Sequence, residues 1–326
     1  MRIKVTRVRL EPLEDRRLLA TCNVTRLSDT GGGFGFRGDL RYCINKTESE
    51  PGSDTIVFQP TAYGTINLTQ ELPVILSDVS IVGPGSGIST INNPVGQNRI
   101  FSVAGGTVAI SGLRMANGRS DVGGAIYNQA TLALHDVQLD LNTASSGIGG
   151  GIYNAGILTV SASAILGNAA ASAHLGLGGG IYNESGASAH TIDTRIQDNL
   201  AASQCQGGSC PPMLVAGGGI YNAFGAQLTV ERGIISENTL DIGNTTAVST
   251  VFGIGIYNAG TASVASSSIT QRAVAPLILR RAGSEPGSTM PARWTLSTAP
   301  LLKTKCMSKG ATPSRKAGAP IIPRER

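Results

Sequence analysis

The sequence predicts an all-β solenoid, a right-handed parallel β-helix in which successive coils stack on one another. Three observations predict it: one hexapeptide recurs along the chain, short alternating segments fill the intervals, and large side chains are scarce. The hexapeptide reads Gly-Gly-Ala-Ile-Tyr-Asn at 123–128, Gly-Gly-Gly-Ile-Tyr-Asn at 149–154, 178–183 and 217–222, and Gly-Ile-Gly-Ile-Tyr-Asn at 253–258. Its tyrosines, Tyr127, Tyr153, Tyr182, Tyr221 and Tyr257, are spaced by 26, 29, 39 and 36 residues. Self-similarity at such a period marks stacked supersecondary units, with the excess in insertions. Aromatic residues make up 4% and charged residues 14% of the 326, and glycine numbers 43. A solenoid manages with small aliphatics because each coil buries its inner face on the next.

Each module continues alike. After Ile-Tyr-Asn comes a turn, then an alternating segment such as Leu132-Ala133-Leu134, Leu158-Thr159-Val160, Leu228-Thr229-Val230 or Ala262-Ser263-Val264. An aliphatic position follows (Val137, Ile165, Ile196, Ile234, Ile269), and asparagine closes the unit at Asn142, Asn168, Asn199 and Asn238. Period-2 patterning in three short stretches per module, punctuated by Gly, Asn and Ser, reads as strands. Helix is disfavoured, since glycine triplets are costly in a helical turn. The asparagines Asn128, Asn154, Asn183, Asn222 and Asn258 recur at one turn, where stacked amides form a ladder, and the tyrosines form a stripe. Both are expected to serve architecture more than ligand binding.

Upstream, residues 72–118 carry less regular strand patterning, so the coils are expected to span 72–271. Residues 22–71 are expected to cap the first coil, with strands at Asp54–Phe58 and Thr65–Leu68 and a short helix over Asp39–Lys46. An uncovered first coil would expose strand edges.

Charge is unevenly placed. Residues 1–20 carry six Lys/Arg against three Asp/Glu, residues 21–271 nine against sixteen, and residues 272–326 eleven against two. The acidic body argues against a nucleic-acid face, which needs clustered cations. Five cysteines include Cys205 and Cys210, whose spacing suits a short disulfide loop in an oxidising compartment. No Cys-x-x-Cys pair occurs and His135, His174 and His190 are scattered, so no metal site or cofactor is expected. No apolar run is long enough for a membrane-spanning helix.

Three resemblances add to this reading. Leu10–Ala20, LEPLEDRRLLA, resembles the LEPR-XLL motif at the start of large planctomycete surface proteins, which marks residues 1–21 as a targeting segment. Gly38–Phe58 resembles the CSLREA-type domain that opens surface β-helix proteins, with Asp39 and Cys43 in place of the family's Ser and Ala. The Gly-Gly-x-Ile-Tyr-Asn modules are similar to those of the polymorphic outer-membrane proteins, an adhesin class. Together they imply a pectate-lyase-like solenoid at an extracellular or cell-envelope address, with glycans or other surface proteins as partners.

The repeat stops abruptly. Asparagine is expected at 272, fourteen residues after Asn258, but Arg272 stands there and a basic, Pro-rich stretch follows. Residues 272–326 are expected to be a basic tail, disordered or produced by a frameshift; in a shifted frame, codons for Ser288–Thr295 are compatible with a repeat-like peptide. The solenoid would then be truncated.

β-Helices also carry polysaccharide lyases and hydrolases, whose sites need carboxylates clustered on one face. The candidates are Asp193, Arg195 and Asp198 in one module and Glu231, Arg232 and Glu237 in the next, with His135 and His190 nearby. Equivalent positions elsewhere hold Ser, Ala or Gly, and no phosphate-loop or nucleophile-elbow motif is present. The expectation is therefore no catalytic residue, and a cell-surface or secreted scaffold of adhesin-like type. The alternative is a carbohydrate-active enzyme, distinguished by whether these carboxylates converge in one groove.

Overall fold

The computed structural model describes residues 19–50, 52–94, 98–203, 213–242, 249–271 and 293–296. Residues 1–18 of the expected targeting segment, the Cys205–Cys210 pair and nearly all of the expected basic tail lie outside the described residues. What is described is a parallel β-helix. From Thr107 onward each complete coil has four sides, one more than the three stretches expected from sequence, because the segment between the closing asparagine and the next glycine triplet also pairs as strand.

The first side stacks ten rungs, all parallel and in register. It runs from Thr21–Val24 through Asp54–Phe58, Val79–Val82, the first halves of Thr107–Ala116 and Thr131–Asp140, Ile157–Ser161, Ser188–Ile192, Gln227–Glu231 and Thr261–Ala265 to Arg293–Leu296. At about 4.8 Å between neighbouring strands, this side alone is about 43 Å long. The second side holds the remaining halves of the two long strands, then Ala164–Leu166, Arg195–Gln197, Ile234–Ser236 and Ser268–Thr270. The fourth side is Ile-Tyr-Asn on Ile-Tyr-Asn, from Ile126–Asn128 to Ile256–Asn258, with Phe101–Val103 before it.

The third side explains the irregular period. Thr143–Ile148 is one strand, but in later coils its equivalent splits into two arms, such as Ala169–Ser172 with Leu175–Leu177 and Leu200–Ser203 with Met213–Ala216. Insertions leave the chain between the arms. Most of the extra length leaves on this side, and the turns after Asn183 and Asn222 hold two residues more than those after Asn154 and Asn258, so the strands of the other sides keep their register.

Inside, like residues stack in columns. Val108, Leu132, Leu158, Ala189, Leu228 and Ala262 form one, and Ile126, Ile152, Ile181 and Ile220 another, all buried. The column Ile110, Leu134, Val160, Thr191, Val230, Val264 contains one misfit: Thr191 is buried and its hydroxyl has no partner. Replacing an unsatisfied buried hydroxyl by a methyl of the same shape removes a desolvation penalty. Thr191→Val is therefore expected to stabilise the protein by about 1 kcal/mol, read as a higher urea midpoint; an unchanged or lower midpoint refutes this.

Register corrects two expected core positions. The column that ends in Ile269 is Leu139, Ile165, Ile196, Ile235, Ile269. Val137 is buried but pairs two residues earlier, with Leu113, and Ile234 points outward at 51% exposure. Both were one or two residues out because an Ile-Ile pair and a Val-x-Leu pair each offer two aliphatic choices.

The cap is built around the helix Leu40–Glu48. Asp39 is its N-cap, accepting from the backbone N–H groups of Tyr42, Thr30 and Gly32. Burial opposes the Asp39 charge, but these donors outweigh it and hold its pKa below the ordinary value. Asp39 therefore does the work that serine does at an N-cap. Arg41 makes a buried bidentate pair with Asp29 and donates to the carbonyls of Gln70 and Glu71, tying the helix to the following turn. A disulfide joins Cys22 on the first rung to Cys43 on the helix. Spacing alone did not single out this pair, since the two residues meet only once the helix folds across the rung.

Candidate functional site

Two asparagine columns and one tyrosine column run along the coils. In Ile-Tyr-Asn the isoleucine and asparagine point inward and the tyrosine outward, as strand alternation requires. Asn128 donates through Nδ2 to Oδ1 of Asn154 at 2.7 Å, and the same bond links Asn154 to Asn183, Asn183 to Asn222 and Asn222 to Asn258. Each amide also bonds backbone carbonyls at the turn, as Asn183 does with Gln227. The ladder is therefore buried and fully engaged.

The second column is Asn142, Asn168, Asn199 and Asn238. Each Oδ1 from Asn168 onward accepts both the backbone N–H and the Nδ2 of the preceding asparagine, at 2.9–3.0 Å. The column continues past the point where the sequence pattern breaks. Gln271 accepts from the backbone N–H of Asn238 at 3.0 Å, and its Nε2 donates to Ile235. Asn238 donates in the same way to Ile196. Glutamine starts one residue early, and its extra methylene makes up the distance, so the expected asparagine at 272 is not needed to close this coil.

The glycine triplets follow from the same stacking. Their first members, such as Gly178 and Gly217, have φ of +66° and +64°. At the middle position a Cβ on Gly179 would lie 2.5 Å from the Leu200 carbonyl oxygen and also against that of Gly218. The coils approach too closely there for any side chain.

The tyrosine rings stack with centroids 5.2, 5.1, 5.1 and 4.8 Å apart from Tyr127 to Tyr257. Arg99 lies over Tyr127, and Phe252 stacks with Tyr257. Ring faces are thus turned to one another and only edges reach solvent, which is unlike a sugar platform, where open faces receive the ligand. Burial raises the Tyr153 pKa, helped by its hydrogen bond to Glu184, and burial together with neighbouring tyrosines pushes Tyr221 up to about 12. A raised acid pKa means the folded state holds the proton longer, so stability is unaffected below the unfolded value near 10 and falls as pH climbs from there. The tyrosinate absorbance of Tyr153, Tyr182 and Tyr221 is expected to appear late, and together with unfolding, as pH climbs above about 10. Titration of these three at the unperturbed value without unfolding, read as the difference between the chain and its Tyr153→Phe, Tyr182→Phe and Tyr221→Phe variants, contradicts the stacking account.

The charged candidates sit at two corners. Asp193 and Arg232 occupy left-handed positions, φ +49° each, on successive coils where the first side turns into the second. They form an exposed bidentate pair at 2.7 and 2.8 Å. Glu231 lies 3.7 Å from Arg232 and 3.4 Å from His190. Asp198 and Glu237 occupy the corresponding positions at the next corner, φ +57° and +54°, across the short strands Arg195–Gln197 and Ile234–Ser236. The four carboxylates therefore divide two and two. A groove of about 650 Å³ runs beside the first pair, lined by Ser86, Gln138, Asp193, Arg195, Gln197 and Arg232 among others. The hydrogen bond from Arg232 holds Asp193 below the ordinary carboxylate pKa, which suits a fixed anion and not a proton donor.

One contact was invisible from local sequence. His135 Nδ1 is 3.1 Å from Ser161 Oγ, one coil later. Adding one period of 26 residues to His135 finds it. Ser161 also donates to the Leu134 carbonyl, and both residues lie on an open strand face. Among the described residues no group of three His, Cys, Asp or Glu is placed to hold a metal ion, and no helix is long and apolar enough to cross a membrane. No protein-family model, curated protein or solved structure matches this chain.

Proposed function

We propose that this protein is a non-catalytic β-helix scaffold of adhesin-like type, displayed outside the cell or in its envelope. One observation carries the reading: every residue that defines the repeat is engaged by coil-to-coil stacking. Isoleucine fills the core, asparagine bonds asparagine, tyrosine covers tyrosine, and glycine admits the neighbouring backbone. Repetition that is accounted for by architecture leaves the variable outer positions for partners, and glycans or other surface proteins are the classes that fit such an address. The Cys22–Cys43 disulfide supports an oxidising compartment. The LEPR-XLL and CSLREA resemblances point the same way.

The cluster of Asp193, Arg232, Glu231 and His190 beside the groove favours a second reading, a carbohydrate-active enzyme. Incubating the full chain with acidic and neutral polysaccharides separates the two. The scaffold reading expects no new reducing or unsaturated ends, and retention on some glycans at most. Product formation that disappears in Asp193→Ala would overturn it.

A further inference from the structure

We propose that the glycine-rich hairpin at the N-terminal end of the stack docks on an anionic lipid surface, so that the solenoid stands end-on from it. This rests on the surface-scaffold reading and supplies its mode of attachment. The hairpin pairs Gly33–Phe34 with Arg37–Gly38, turning at Gly35 with φ +58°. Arg37–Gly38 pairs in turn with Thr21–Val24, the rung before Asp54–Phe58. The hairpin is thus the outermost layer of the first side.

Its conformation is held from behind. The Tyr42 hydroxyl donates to the Gly35 carbonyl at 2.9 Å, and the Tyr42 ring lies where side chains on Gly33 and Gly38 would project. With that space filled, Phe34 is left 90% exposed and Phe36 40%, with the Lys46 ammonium 4.9 Å over the Phe36 ring. Folding gains nothing from a phenylalanine at the first position. Arg26, beside Gly32, and Arg37 are both exposed and form no ion pair with a described residue. Among the cap's acids, Asp29 pairs with Arg41, Glu50 with Lys46 and Glu71 with Arg99, Asp39 caps the helix, and Glu48 accepts from Leu76 and Ser77.

Charge sets the direction. Residues 1–20, with six cations against three acids, join the body at this same end, the cap residues 21–71 carry four against six, and residues 72–271 carry five against ten. Residues 272–326, with eleven against two, follow the coils at the opposite end and are the competing anionic-surface site that the test below separates. An exposed phenylalanine with an unpaired arginine in the same hairpin, Arg37, and another beside Gly32, Arg26, suits the headgroup boundary of an anionic bilayer, where aromatic burial and surface potential act together. The acidic coils are repelled by that surface and point away from it.

The test uses the full chain and phosphatidylcholine vesicles with and without phosphatidylglycerol. Sedimentation with the anionic vesicles alone is expected. Phe34→Ala should weaken binding about tenfold, and Arg26→Gln or Arg37→Gln about fivefold each, from about 1 kcal/mol per cation. Because Trp294 is the chain's one tryptophan, Phe34→Trp combined with Trp294→Phe reports on the hairpin itself, and brominated lipid should quench it on binding. Equal binding to neutral vesicles, binding unaltered by Phe34→Ala, or quenching of Trp294 in the unaltered chain with none at position 34 overturns the proposal. The last outcome would assign binding to the basic stretch after residue 271. A failure here leaves the scaffold reading standing, since polysaccharide cleavage and not lipid binding decides that.

Discussion

Asn183→Asp is expected to destabilise the protein by about 4 kcal/mol, the largest effect of any single-atom-scale change in the coils. Asn183 sits at the middle of the buried ladder, accepting from Asn154 and donating to Asn222 Oδ1 and to the Gln227 carbonyl. A carboxylate keeps the acceptor but removes the donor, and it sets a buried negative charge against two oxygens. The neighbour cannot turn to help. Asn222 Nδ2 is already bonded to Asn258 and to the carbonyls of Ala226 and Thr261, so reversing one amide means reversing every amide beyond it. The exposed Asn45→Asp, on the cap helix, serves as control and should change stability by less than about 0.5 kcal/mol. Urea unfolding followed by circular dichroism measures both; a loss at 183 no larger than at 45 would mean the ladder contributes nothing.

Gly179→Ala is expected to cost about 3 kcal/mol. The added methyl would meet the backbone of two coils, at Leu200 and Gly218, and backbone in a stacked sheet cannot step aside as a flexible side chain can. Gly186 separates this clash from simple conformational preference. Its φ is +83° but nothing lies within 4 Å of its would-be Cβ, so Gly186→Ala should cost only the left-handed penalty, about 1 kcal/mol. Equal losses at the two glycines, again by urea unfolding, would show that coil spacing is not what requires the triplet.

The fold was legible because a solenoid writes its contacts into the sequence as identities one period apart. Ile-Tyr-Asn and its spacing were enough to mark core, ladder and stripe as three separate columns. Register was harder. Choosing Leu139 over Val137, or Ile235 over Ile234, needs the exact offset from the closing asparagine, and both members of each pair are aliphatic. The substitution of Gln271 for an asparagine one residue later was hidden because it exchanges side-chain length for backbone position. The Cys22–Cys43 bridge lies in the cap, where the repeat gives no guide. For the charged cluster, sequence named the residues but not their division, which depends on which corner each left-handed position occupies.

A distance across rungs tests the stacking most directly. Ala133 pairs with Thr159, Thr159 with His190, His190 with Thr229 and Thr229 with Ser263, all on the outward side of the first face. Spin labels at Ala133→Cys and Ser263→Cys, with Cys205, Cys210 and Cys306 changed to serine, should lie about 19 Å apart, four steps of about 4.8 Å. A narrow distribution there, from residues far apart in sequence, is the predicted result. A broad distribution, or one centred well beyond it, contradicts the parallel stack.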